Sequence, residues 1–304
     1  MKLIKPSFEI REQPSGLEGV YKQIEGAGRV CYKSEDKIAE GTAKAFVDRM
    51  IASGHGAMLE HGTVYLKCET EVINRYIHPE DGEEEDFNKL EKYEYNPYSV
   101  TNDDGIYLYV TTNLRVLVEN DWLDDLQYIC EPTEYHEKRI TVKFICDRGV
   151  SHEFVRHRVF SFAQESTRYC NYSKDKFDSE CTFIIPCWLN IVEGSYTLED
   201  VEEKYDRCLI TDSGKGITNE AAEYIRSLIY SEKTYFSLLD RNWRPQQARA
   251  VLPNSLKTEL VMTGFVSDWK HFFELRCSSS AHPQARELAI PLQEEFIARG
   301  YINN

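Results

Sequence analysis

The chain has 304 residues, 41% hydrophobic and 12% aromatic, enough to bury a substantial core as one large domain or two small ones. Its 36 Lys and Arg against 51 Asp and Glu leave a formal net charge of -15, which argues against a broad nucleic-acid surface but not against one local pocket for a phosphate. No run approaches the roughly 20 apolar residues of a membrane span, the opening MKLIKPSFEI lacks a signal peptide's apolar run, and nine cysteines without a C-x-x-C pair fit the reduced thiols of a cytoplasmic enzyme.

In chain order, residues 38–53 read as a helix, with Ala43, Phe46-Val47 and Met50-Ile51 at helical spacing and Gly54 closing it. HGAMLEH at 55–61 is a polar turn leading into a strand where Val64, Leu66 and Cys68 alternate with Tyr65 and Lys67. The acidic stretch 78–98 reads as a surface excursion with little core of its own. Residues 106–110 predict a strand, Leu114 to Leu126 an amphipathic helix, and 138–146 a strand with Ile140, Val142, Phe144 and Cys146 on one face. Ser151 then caps a helix carrying Phe154 to Phe160. A strand near 182–185 precedes a long helix over 217–239, striped by Ala221, Ile225, Leu228-Ile229 and Leu238, and a short helix from Pro245. A strand over 260–265, a helix from Ser267 and a last helix from Ala285 complete the chain. With no repeat and no dividing linker, one α+β domain is expected.

The segment Arg156-His157-Arg158, followed by Ser166 and Arg168-Tyr169, concentrates positive charge against the acidic trend. Guanidinium groups stay charged at any working pH and bind phosphate or carboxylate through paired hydrogen bonds. Arginine-rich turns are commonly solvated faces or ion-pair hubs. Here Phe154-Val155 and Val159-Phe160 set the cations against a core, and Arg244 and Arg249 recur in a second apolar setting, which argues for an anionic ligand.

Other candidates are weaker. The H-x5-H spacing of His55 and His61 does not put both on one helix face and no third ligand is evident, so no metal is expected; Glu60 and His61 are open to ligand binding or to capping the next strand. Neither a dinucleotide nor a P-loop glycine pattern occurs. Cys187, in IIPCWLN, has no neighbouring base or cation and reads as a buried structural cysteine. Ser166 lacks a nucleophile elbow and suits donation to an anion. Ser267 caps a helix that buries Trp269, Phe272 and Phe273 and ends at Arg276, a position that would also suit a cation merely facing the helix's negative pole.

Taken together, the chain resembles a flavin-dependent thymidylate synthase, of the thymidylate synthase-complementing protein family. The family signature R-H-R-x7-S is matched by Arg156-His157-Arg158-VFSFAQE-Ser166 and continues into S-x-R-Y as Ser166-Thr167-Arg168-Tyr169. GHGAMLEH at 54–61, ARAVLP at 248–253 and FFELR at 272–276 resemble three further family blocks in the same order. The resemblance implies a mixed, largely antiparallel sheet packed against helices, and the reductive methylation of dUMP to dTMP. The carbon would come from 5,10-methylenetetrahydrofolate and the hydride from FAD reduced by NADPH.

The resemblance also implies residue roles. His55, Glu60, Arg156, His157 and Arg158 would touch FAD, with Phe265 and Ser267 at two further flavin-side positions and His271 in place of a flavin-side Asn. Glu153, Gln164, Glu165, Ser166, Thr167, Arg168 and Arg249 would hold dUMP, partly across a subunit boundary of a homotetramer. Arg276 would face the pyrimidine and favour its ionisation at N3, the catalytic role. No thiol would attack the pyrimidine; thiol-dependent thymidylate synthases place a His after their cysteine, where this chain has Trp188. Residues 69–137 look like an insertion relative to compact members, and His282 and Gln284 carry no assigned role. The alternatives are a non-catalytic nucleotide-binding protein, or a flavin-dependent methylase of uracil in RNA, which the acidic composition disfavours.

Overall fold

Residues 139–147 alternate as expected: Ile140, Val142, Phe144 and Cys146 enter one apolar core, while Thr141 and Lys143 face the other way. The computed structural model describes residues 1–70, 73–77, 84–174, 177, 179–202, 209–210, 216–217 and 219–303. In chain order the elements are β1 (Lys2–Ile4), β2 (Ser7–Arg11), α1 (Gly16–Tyr32), α2 (Thr42–Ala52), α3 (Gly56–Leu59), β3 (Thr63–Glu69), β4 (Ile73–Ile77), β5 (Glu84–Asn88), β6 (Val100–Asp103), β7 (Tyr107–Asn113), α4 (Leu114–Glu119), β8 (Arg139–Asp147), α5 (Arg148–Phe154), β9 (Ser161–Gln164), β10 (Thr182–Ile184), β11 (Gly194–Ser195), α6 (Glu199–Glu202), β12 (Leu209–Ile210), β13 (Gly216–Ile217), α7 (Asn219–Asp240), α8 (Pro245–Ala248), β14 (Lys257–Phe265), α9 (Val266–Arg276) and α10 (Pro283–Ala298).

The central sheet runs β2-β8-β14-β9, antiparallel throughout, with Leu260 opposite Phe144 and Gln164. One face is covered by α9 and α10 through Trp269, Phe272, Phe273, Leu288, Leu292 and Phe296. The other meets α1, where Ala27 and Val30 pack on Ala163 and Val261. A second sheet, β3-β7-β6, is antiparallel and shares a core with α1, α2 and α4, and a mixed sheet, β10-β1-β11, packs with α7. Among the described residues the parallel pair is β1 with β10, so the α+β class and the mixed, mostly antiparallel pairing are as expected.

Several boundaries differ from the sequence reading. The expected helix over 114–126 is α4 followed by a separate 3-10 turn, Leu123–Tyr128, because the chain reverses at Asp121 with φ 58°. The 78–98 stretch lies partly outside the described residues, but Leu90 and Tyr93 are fully buried, and the Tyr93 hydroxyl donates to Asp125 at 3.0 Å. It contributes core after all. The long helix, expected from 217, is described from Asn219, because Ile217 instead pairs with Leu209 as part of β13; residue 218 lies outside the described residues. Among the described residues no helix is long and apolar enough to cross a membrane.

Candidate active site

The Arg-His-Arg segment does not ride on a helix. Asp147, not Ser151, caps α5: its carboxylate accepts from the Val150 N–H at 2.7 Å, while the Ser151 hydroxyl donates back to the Arg148 carbonyl at 2.9 Å. The helix ends at Phe154, and tight turns follow, with His157 N–H donating to Phe154 and Phe160 N–H to His157. A three-residue repeat therefore buries Phe154, His157 and Phe160 and turns Arg156 and Arg158 outward. Gly264 makes this packing possible, since a Cβ there would sit 2.5 Å from the Phe160 ring.

Arg276 completes the buried stripe of α9. Trp269, Phe272, Phe273 and Arg276 recur at i, i+3, i+4 and i+7, so the guanidinium points toward α5 rather than into solvent. Its Nε donates to His157 Nε2 at 2.9 Å, one terminal nitrogen to Glu153 Oε2 at 2.8 Å, and the other to the Glu153 carbonyl at 2.7 Å. The arginine is thus far more than a cation facing its own helix dipole. Burial, outweighing the attraction of Glu153, lowers its pKa, and Arg156 lowers it further. Burial, then Arg276 and His271, push the His157 imidazole down to about 4, so it is neutral and accepts at Nε2. Two of the five guanidinium N–H donors of Arg276 have no partner among the described residues.

A second group forms where β9 ends. Gln164 donates to the Ser151 hydroxyl at 2.9 Å and to Thr258 at 3.2 Å. Ser166 N–H donates to the Cys31 carbonyl at the end of α1, and Arg249 donates to the Thr167 hydroxyl at 2.8 Å. Arg168 and Arg249 are exposed. Glu165 is buried, and its carboxylate pairs with Lys257 at 2.9 Å. No hydrogen bond or ion pair joins this group to the Arg276 group among the described residues.

Glu60 and Arg158, from two distant blocks, line one cavity of about 830 Å³ walled by Phe160, Phe162, Phe265 and Tyr98, within the roughly 300–1,000 Å³ typical of ligand pockets. His61 is anchored beneath it: its Nδ1 shares a hydrogen bond with Thr263 at 2.8 Å, and burial, then Arg139, push it down to about 3. His61 is a core residue, while Glu60 lines the cavity. Arg139 also lines the cavity, and its buried Nε has no partner among the described residues. Arg158 makes no ion pair among them. Orphaned guanidinium donors in an aromatic-walled cavity fit a cofactor bearing a diphosphate and flat rings, as FAD does. His55, Ser267 and His271 are exposed; the Ser267 N–H donates to Glu137 at 3.0 Å, and His271 lies 6.4 Å from His157, ring to ring. Asp268 Oδ2, accepting from the Phe265 N–H at 3.0 Å, caps α9 in place of Ser267.

Cys187 is exposed rather than buried, and partial desolvation together with Glu287 raises its thiol pKa, the opposite of activation. The contacts of Lys257 and of Arg115 were invisible in the sequence, because neither residue lies in a recognisable block.

The family model described as thymidylate synthase complementing protein matches residues 132–299. A flavin-dependent thymidylate synthase of Corynebacterium aurimucosum is 30% identical over 285 residues, covering 93% of this chain and 77% of that protein. One from Pyrococcus furiosus is 29% identical over 154 residues, 51% of this chain and 52% of that protein, so the chain spans about half the length of several such relatives. A UMP/dUMP methylase PolB from Streptomyces cacaoi, solved with 5-Br dUMP, aligns over 98% of this chain and 93% of that one at 16% identity, with a TM-score of 0.41.

Proposed function

The chain belongs to the thymidylate synthase complementing protein family, and from that footing we propose that it is a flavin-dependent thymidylate synthase converting dUMP to dTMP. The carbon donor is 5,10-methylenetetrahydrofolate, and FAD, when bound and reduced by NADPH, supplies the hydride. The observation that carries this reading is the convergence of Glu153, His157 and Arg276 from two separate blocks, beside a cavity that Glu60 and Arg158 share.

In this reading Arg276 offers its two uncommitted N–H donors to the uracil ring and stabilises negative charge there as C5 becomes nucleophilic. Glu153 and neutral His157 fix the guanidinium plane. Gln164, Glu165, Ser166, Thr167, Arg168 and Arg249 bind the nucleotide, with Glu165 acting through its backbone carbonyl, because its side chain is committed to Lys257 and its N–H to the Glu259 carbonyl. His55, Glu60, Arg156, Arg158, Ser267 and His271 hold FAD. The exposed apolar residues Val155, Val159, Leu275 and Tyr169 suit burial against further copies of the chain, in keeping with the cytoplasmic homotetramer with shared sites that the family resemblance implies. The whole of 1–304 serves as one domain, with 69–137 as an inserted segment.

The purified protein is expected to absorb as a flavoprotein, to bleach once with a stoichiometric amount of NADPH without oxygen, and under those conditions to turn NADPH over repeatedly only when dUMP and the folate are present. Protein that stays colourless when FAD is added refutes the reading. Cys187→Ala is expected to retain thymidylate formation; an inactive but folded and flavin-loaded variant would point back to thiol attack.

A further inference from the structure

Much of the cavity wall that faces Glu60 and Arg158 comes from the connection between β3 and β8, through Tyr98, Asn113, Arg115 and Glu119. We propose that residues 96–120 of this connection are part of the cofactor site and that Arg115 supplies a cation to the cofactor's diphosphate; the proposal rests on the flavin reading above.

Arg115 is placed by local chemistry. The Asn113 side chain caps α4 by accepting from the Val116 N–H, which fixes Arg115 in the first turn. Its Nε donates to Glu119 at 2.7 Å, and one terminal nitrogen pairs with Glu60. These contacts aim the fork without exhausting it: of five N–H donors, three have no partner among the described residues. Gly56 allows the guanidinium to lie close against α3, because a Cβ there would stand 3.0 Å from Arg115 Nε.

The cavity's formal charges balance, but its cations are unevenly paired. Three arginines, Arg115, Arg139 and Arg158, line it, as do three carboxylates, Glu60, Glu119 and Asp268. Of the carboxylates, Glu60 and Glu119 are both spent on Arg115, while Asp268 accepts from the Phe265 N–H. Arg139 and Arg158 are left without a counter-charge within ion-pair distance among the described residues. A diphosphate supplies that charge, and bidentate geometry makes arginine its natural partner. Tyr98, 65% exposed on the same wall, offers a ring on which a flat heterocycle can stack.

The competing role for Arg115 is that of a fastener, tying α3 to α4 through Glu60 and Glu119. FAD titrated into the full chain, with flavin fluorescence as readout at several salt concentrations, separates the two. Arg115→Gln is expected to weaken FAD binding at least about tenfold and to flatten its dependence on salt, since one screened charge contact is gone. Arg115→Lys should recover part of both. An unchanged Kd in Arg115→Gln, or a weaker Kd with the wild-type salt dependence, overturns the proposal. Wild-type protein that takes up no FAD overturns the flavin reading itself. Wild type that binds FAD, beside an indifferent Arg115→Gln, overturns only the part given to Arg115.

Discussion

Arg276→Ala is expected to lower kcat by about 100- to 1,000-fold, the usual cost of one preorganised donor at a developing negative charge, while the protein keeps its flavin. The guanidinium is partly desolvated and gripped at three points by Glu153 and His157, so it reaches the transition state already oriented. The cavity that holds Glu60 and Arg158 is built without it, which is why colour should survive. Arg276→Lys should fall between the two, because an ammonium cannot reproduce a planar fork that meets His157 Nε2, Glu153 Oε2 and the Glu153 carbonyl together. Steady-state kinetics in dUMP, paired with the flavin spectrum of each variant, checks this. A colourless Arg276→Ala would move the residue from the pyrimidine to the cofactor.

What the sequence revealed, and what it hid, follows from how each residue earns its place. The strand over 139–147 was legible because one face is uniformly apolar and the other is not. Helix α1 was not legible. It carries four glycines, and its buried face includes Glu25 and Arg29, which satisfy each other at 2.7 Å, so low helix propensity and buried charge mask the apolar stripe of Val20, Ile24, Ala27 and Val30. Gly28 looks like a helix breaker in sequence, yet it admits the Phe46 ring of α2, which a Cβ would meet at 2.6 Å. The expected cap at Ser151 failed because Asp147, the last residue of β8, caps the helix directly and leaves no loop. At the site, the signature and the FFELR block pointed to Arg276 and His157. Only the fold shows them touching, and only the fold brings Arg115, distant in sequence and outside any motif, against Glu60.

The same limit governs the largest expected stability effect, at Glu259. This glutamate faces α1 from β14 and is buried among three lysines: Lys257 at 2.6 Å, Lys143 at 2.5 Å, and Lys33 from the end of α1. Lys257 carries the network on to Glu165, beside Ser166. Glu259→Gln leaves those buried ammonium groups short of one counter-charge, and breaking a buried ion pair in this way costs about 3–5 kcal/mol. Burial alone would raise the Glu259 pKa, but Lys257, Lys33 and Lys143 outweigh it and hold the carboxyl well below the usual carboxylate range. A carboxyl depressed in the folded state binds fewer protons there than in the unfolded chain, so its contribution is whole above the ordinary value of 4.5 and fades as pH falls toward the folded value. Urea unfolding of wild type and Glu259→Gln should therefore differ by that amount at pH 7 and converge progressively below about pH 4.5. A variant within about 1 kcal/mol of wild type at pH 7 would mean that water reaches the lysines and that this charged seam between α1 and the central sheet does not hold the two together.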